Sequence, residues 1–176
     1  GLTITINAAA SDVPLKAKMP ISLLAREILQ YASTTEEAVA IAKKRQTFVS
    51  ESLLIGSASE NKAVLIEKTP ERMDVFTEKG DELICTNHYQ SSSLKGDKKN
   101  VENISQSDSK YRYDRVKELL NLNQKVDEVR LASILRNQKG LQDEELGYGN
   151  QKALNQLIAH HSIIFKPVQY KFWISA

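Results

Sequence analysis

Two carboxamides and a guanidinium are the groups in this chain best suited to act on a polarised carbonyl: Asn87, Asn7 and Arg112. Asn87 lies in Leu83-Ile84-Cys85-Thr86-Asn87-His88-Tyr89, an apolar run that ends in a carboxamide, an imidazole and a phenol before a polar stretch. Period-two alternation predicts a strand over 82–88. It puts Leu83, Cys85, Asn87 and Tyr89 on one face and Ile84, Thr86 and His88 on the other. An Asn at a strand end can hold its N–H donors at a fixed point, as stabilisation of an oxyanion requires, and one such donor is worth about 3 kcal/mol. Asn also closes strand ends by bonding the local backbone, so the position alone leaves both roles open. Asn7 ends another alternating run, Leu2-Thr3-Ile4-Thr5-Ile6, with the same two readings.

Arg112 sits in Ser109-Lys110-Tyr111-Arg112-Tyr113-Asp114-Arg115 at a predicted helix start, where the helix dipole disfavours a cation. A site needing positive charge near a thiolate or a substrate carboxylate would explain it. So would an exposed ion pair with Asp108 or Asp114. Cys85, the chain's one cysteine, reads as a packed strand residue and a poor nucleophile. The adjacent His160 and His161 form no HExxH-like pair, and Gly147-Tyr148-Gly149 is too short for a phosphate loop. Asn103-Ile104-Ser105 matches a glycosylation sequon, a frequent chance match.

The elements that must position these residues follow from periodicity. Residues 2–6 form a strand, and 8–19 a loop containing Pro14. A helix starting at Pro20 carries Ile21, Leu24, Ala25 and Ile28 on one stripe. A second begins at Ser33-Thr34-Thr35-Glu36-Glu37, where Ser33/Glu36 and Thr34/Glu37 both fit a capping box. Four antiparallel strands are predicted at 48–55, 62–68, 72–77 and 82–88. Turns are predicted at 56–61, at Pro70 and at Glu78-Lys79-Gly80-Asp81, and Val64-Leu65-Ile66 marks a central strand. Residues 90–107 read as a mobile polar loop. Helices with Val116, Leu119 and Leu120, and with Leu131, Ile134 and Leu135 (about 125–137), precede a hairpin around Pro167. The sum is an α+β chain of one domain over 1–176, with helices packed on antiparallel sheet.

Charge and composition narrow the class. With 24 basic and 22 acidic residues the net charge is +2, which gives no case for a nucleic-acid partner. No apolar run approaches membrane-spanning length. One cysteine excludes a Cys-rich zinc site, and no cofactor or metal motif is present.

Gly-Leu-Thr-Ile-Thr-Ile-Asn at 1–7, Ile-Cys-Thr-Asn-His-Tyr at 84–89, Ser-Lys-Tyr-Arg-Tyr-Asp-Arg at 109–115 and the closing His-Ser-Ile-Ile-Phe together resemble one family. It is the acyl-coenzyme A:6-aminopenicillanic acid acyltransferase family (peptidase family C45), related to the choloylglycine hydrolases and penicillin V acylase. The resemblance covers essentially the whole chain. It implies an N-terminal nucleophile hydrolase fold, an αββα sandwich of antiparallel sheets, incomplete here. It also implies a linear amide hydrolase or acyltransferase whose nucleophile is a Cys freed by autoproteolysis, with the free α-amine as base. On that resemblance Asn87 matches the oxyanion donor, Asn7 a position near the active site, and Arg112 the Arg close to the nucleophile, with Arg115 as runner-up. The family's Cys lies upstream of the Gly-Leu-Thr strand. The expectation is therefore a C-terminal portion, inactive alone, that partners its own missing N-terminal segment and a small-molecule amide substrate, with a possible homo-oligomer. The alternative is a non-catalytic binding or structural domain that keeps the fold.

Overall fold

The computed structural model describes residues 1–11, 17–122 and 125–175. Its centre is a four-stranded antiparallel sheet in the order β1 (Leu2–Ala8), β2 (Glu51–Ser57), β3 (Lys62–Lys68) and β4 (Met73–Phe76). Helices α1 (Ile21–Tyr31) and α2 (Thr35–Lys44) cover one face. Leu24 and Ile28 of α1 and Ala38 and Ala42 of α2 pack on Leu53, Ile55, Val64 and Ile66. Small residues on α2 let its backbone lie close to the sheet, while the branched strand side chains fill the pleat. Val64, Leu65 and Ile66 are all buried, as a strand covered on both sides requires.

Of the two capping boxes, the fold uses Thr34 and Glu37. Thr34 Oγ1 accepts from the Glu37 N–H at 3.2 Å, and the Glu37 carboxylate reaches back to the Ser33 N–H at 2.7 Å. Lys43 and Lys44 occupy the last turn, where a cation suits the dipole.

The opposite face of the sheet carries a polar row. Antiparallel register sets Asn7 beside Ser52, Ser52 beside Glu67, and Glu67 beside Asp74. This face looks onto the 83–91 segment, α4 (Ser109–Leu120), α5 (Glu128–Leu135) and the hairpin of β5 (Ser162–Lys166) and β6 (Lys171–Ser175). The hairpin forms a second, two-stranded antiparallel sheet, and a short 3₁₀ turn at Pro167–Gln169 joins its strands. The chain is thus α+β, with helices and two antiparallel sheets.

Two expectations are corrected. The 82–88 strand is not in a ladder: β4 ends at Phe76 and residues 82–88 pair with no strand. Alternation survives in part, since Ile84, Thr86 and His88 are buried and Leu83, Cys85 and Asn87 are half-buried. Tyr89 breaks it by being buried as well. The 90–107 stretch is not one polar loop. Residues Lys98–Gln106 form helix α3, which buries Asn100 completely, and Leu94 before it is also fully buried. Polar composition hid both, because here carboxamides and carboxylates pair with backbone, and no apolar stripe marks the burial. Pro14 lies outside the described residues, and 151–160 is a series of turns.

Candidate active site

The segment 83–91 replaces a strand ladder with side-chain hydrogen bonds. Ile84 C=O accepts from Gln90 Nε2 at 2.8 Å. The Gln90 and Ser91 N–H groups donate to the two oxygens of Glu67 at 2.6 and 2.9 Å. Tyr89 N–H donates to Asn100 Oδ1 at 2.8 Å, while Asn100 Nδ2 returns to Tyr89 C=O at 3.2 Å. The Tyr89 hydroxyl donates to Lys68 C=O at 2.8 Å. These backbone groups thereby find partners without a neighbouring strand.

Asn87 is held at four points. Its N–H donates to Ser109 Oγ at 2.8 Å, and its C=O accepts from Asn103 Nδ2 at 2.6 Å. Its carboxamide oxygen accepts from Arg112 Nη2 at 2.8 Å, and Nδ2 donates to Ala8 C=O at 3.0 Å. A guanidinium can only donate, so the Arg112 contact fixes which end of the carboxamide is oxygen and which is nitrogen. It also draws electron density toward that oxygen, which sharpens the N–H groups as donors. Nδ2 has two hydrogens, and Ala8 takes one of them.

The flanking residues brace the turn. Ser109 Oγ lies 2.9 Å from His88 Nδ1 and donates to Thr86 Oγ1 at 3.1 Å, and Thr86 Oγ1 is 3.0 Å from His88 Nδ1. Ser109 is fully buried and His88 nearly so, with its ring edge-on to Tyr113. Burial holds the imidazole below its ordinary range, the cations Lys110 and Arg112 add to this, and Asp114 opposes it.

Asn7, Asn87 and Arg112 line one cavity of about 610 Å³, with Thr3, Thr5 and Leu54 at the sheet and Leu131, Ile134 and Phe165 opposite. The structure brings all three sequence-predicted residues to that cavity. The carboxamide of Asn7 has no hydrogen-bond partner among the described residues. Arg112 also donates through Nη1 to Gln151 C=O at 3.0 Å. Burial lowers its pKa and Asp108 counters, but among the described residues no carboxylate lies within ion-pair distance. The pairing with Asp108 or Asp114 that sequence left open is thus not formed, and Asp114 pairs instead with Lys110.

Arg115, the runner-up, is engaged elsewhere. It is buried and donates to Asn137 Oδ1 at 3.2 Å, Glu118 at 2.8 Å and Asp143 at 2.5 Å, which staples the 137–143 turn to α4. Cys85 also lines the cavity, but burial pushes its thiol up to about 12, helped by the nearby Glu67, so the reactive thiolate is suppressed. His160 and His161 are exposed and do not line the cavity. Among the described residues no three His, Cys, Asp or Glu cluster as a metal site would need, and no helix is long and apolar enough to cross a membrane.

Sequence reading missed Glu67, Asn100, Asn103 and Ser109. Glu67 sits in a strand where alternation alone shows nothing unusual. Its complete burial, which raises its carboxyl above the usual range, was the signal only tertiary structure could supply. The sequon at Asn103 was visible, but its carboxamide nitrogen is already bonded to Asn87.

No curated protein and no solved structure matches the chain. The family model of acyl-coenzyme A:6-aminopenicillanic acid acyl-transferase matches residues 1–176, from the first strand through the hairpin, and the chain belongs to that family.

Proposed function

We propose that this chain supplies the oxyanion-stabilising half of an amide hydrolase or acyltransferase whose nucleophile is an N-terminal Cys outside residues 1–176. In the full sandwich the two sheets would face each other across the cavity. The α-amine takes the thiol proton, and the thiolate attacks the amide carbon. The carbonyl oxygen becomes an oxyanion and accepts the remaining Nδ2–H of Asn87. Collapse expels the amine, which takes the proton back from the α-ammonium and leaves a thioester. Water then completes hydrolysis, or a second amine completes transfer.

The observation that carries this reading is the Arg112–Asn87 hydrogen bond at the edge of a mainly apolar cavity. It orients the carboxamide and keeps positive charge where negative charge would develop. Asn7 is the second carboxamide available there.

The test uses the complete protein. Mass spectrometry should show self-cleavage immediately before a Cys. Asn87→Ala should then lower kcat by roughly 10²–10³-fold with little change in KM, because the contact forms in the transition state. Unchanged turnover in that variant removes Asn87 from the chemistry. An uncleaved protein that turns over no amide favours a non-catalytic binding domain on the same fold.

A further inference from the structure

Helix α3 is unusual in what it buries. Its sequence, Lys98 to Gln106, is polar except for Val101, which is exposed, and Ile104, which is half-buried, and the residue it buries fully is Asn100 rather than an apolar side chain. Burial of apolar area therefore does little to place it. What α3 does offer is a pair of carboxamides one turn apart, Asn100 and Asn103, which lie on one helix face. Asn100 bonds both backbone groups of Tyr89. Asn103 bonds the backbone C=O of Asn87 at 2.6 Å. Helix α4 repeats the device with Ser109 on the Asn87 N–H and Arg112 on its carboxamide oxygen.

We infer that Asn103 is a positioning residue for the oxyanion donor: its Nδ2–H bond to the Asn87 carbonyl fixes the backbone from which that carboxamide projects. The inference rests on the reading of Asn87 given above. A residue inside a ladder has its backbone aligned by neighbouring strands. Asn87 has none, so its two backbone bonds to side chains set its position. Losing one lets the peptide plane rotate, and a small rotation at the backbone is amplified at Nδ2. A misplacement of about 1 Å can cost 10²-fold in rate.

The discriminating variants are Asn103→Ala and Asn103→Asp in the complete protein. Asn103→Asp keeps the shape of the side chain but offers no donor while ionised. Each should lower kcat by roughly tenfold, a fraction of the full misplacement penalty, with KM nearly unchanged and the thermal midpoint lowered by only a few degrees. Relative to wild type at the same pH, Asn103→Asp should recover rate as pH falls toward about 4, where the introduced carboxyl gains an O–H donor. Asn103→Ala should show no such recovery.

Wild-type kcat in both variants overturns the inference, as does a loss in Asn103→Asp that is indifferent to pH. If the wild-type protein itself turns over no amide, the enzyme reading fails, and NMR of the same variants decides the positioning claim. In Asn103→Ala both the Asn87 carbonyl carbon and its side-chain amide protons must then shift. A carbonyl shift without any change at the side chain overturns it.

Discussion

At the scale of single residues, Thr86-Asn87-His88-Tyr89 is a bracket around one carboxamide. Thr86 and His88 meet at Ser109 Oγ, the atom that also receives the Asn87 N–H. Ser109→Ala deletes that acceptor inside the protein and leaves the N–H without a partner. Such an orphaned buried donor costs about 1–3 kcal/mol, measurable as a lower denaturant midpoint at constant slope. A midpoint unchanged within error would mean that water or a shifted Thr86 replaces the serine. Cys85 shows the opposite case, a reactive residue type kept inert because burial disfavours its thiolate.

At the scale of elements, two different forces hold the two faces of the sheet. On the α1/α2 face apolar burial dominates. Leu24 and Ile28 are fully buried against β2 and β3, so Leu24→Ala should destabilise by about 2–5 kcal/mol through lost transfer energy and a residual cavity. Calorimetry or urea unfolding checks it, and a cost under 1 kcal/mol would show that α1 collapses to fill the space. On the cavity face the 83–91 segment is held by Glu67, Asn100, Asn103 and Ser109 through hydrogen bonds, each worth only about 1 kcal/mol net. Small net terms suffice there because every bond also fixes a direction. The spacing i, i+3 on α3 and again on α4 turns two short helices into two-point clamps.

At the scale of the whole molecule, acid stability should report on His88. Its folded pKa lies below its ordinary value of 6.5, chiefly from burial. The unfolded chain therefore takes up the proton first. The sign is a contribution present above about pH 6.5 and lost as pH falls through and below it. Glu67 and Glu51 have raised values, again from burial, and act in the opposite sense: their contribution is full at low pH and lost as pH rises through their folded values. The difference between wild type and His88→Gln isolates the imidazole. Urea unfolding between pH 7.5 and about 5 should show a shallower fall in the variant. Parallel curves would mean that His88 is not protonated on unfolding in this range.

The sequence by itself determined the elements that periodicity encodes: the β1 to β4 strands, α1, α2 with its cap, α4, α5 and the closing hairpin. Apolar spacing is local, and a chain that must bury a stripe or a face has to display it in order. It also carried the three residues that end at the cavity, through their types and the resemblance they support. Tertiary structure alone decided that 82–88 is not a strand, that the 90–107 stretch contains a buried helix, and that Arg112 rather than Arg115 meets Asn87. Those outcomes depend on polar groups satisfying one another across distances of 16 to 25 residues. A hydrogen-bond partner so far away leaves no period in the sequence, because one carboxamide looks like any other until folding brings its backbone within 3 Å.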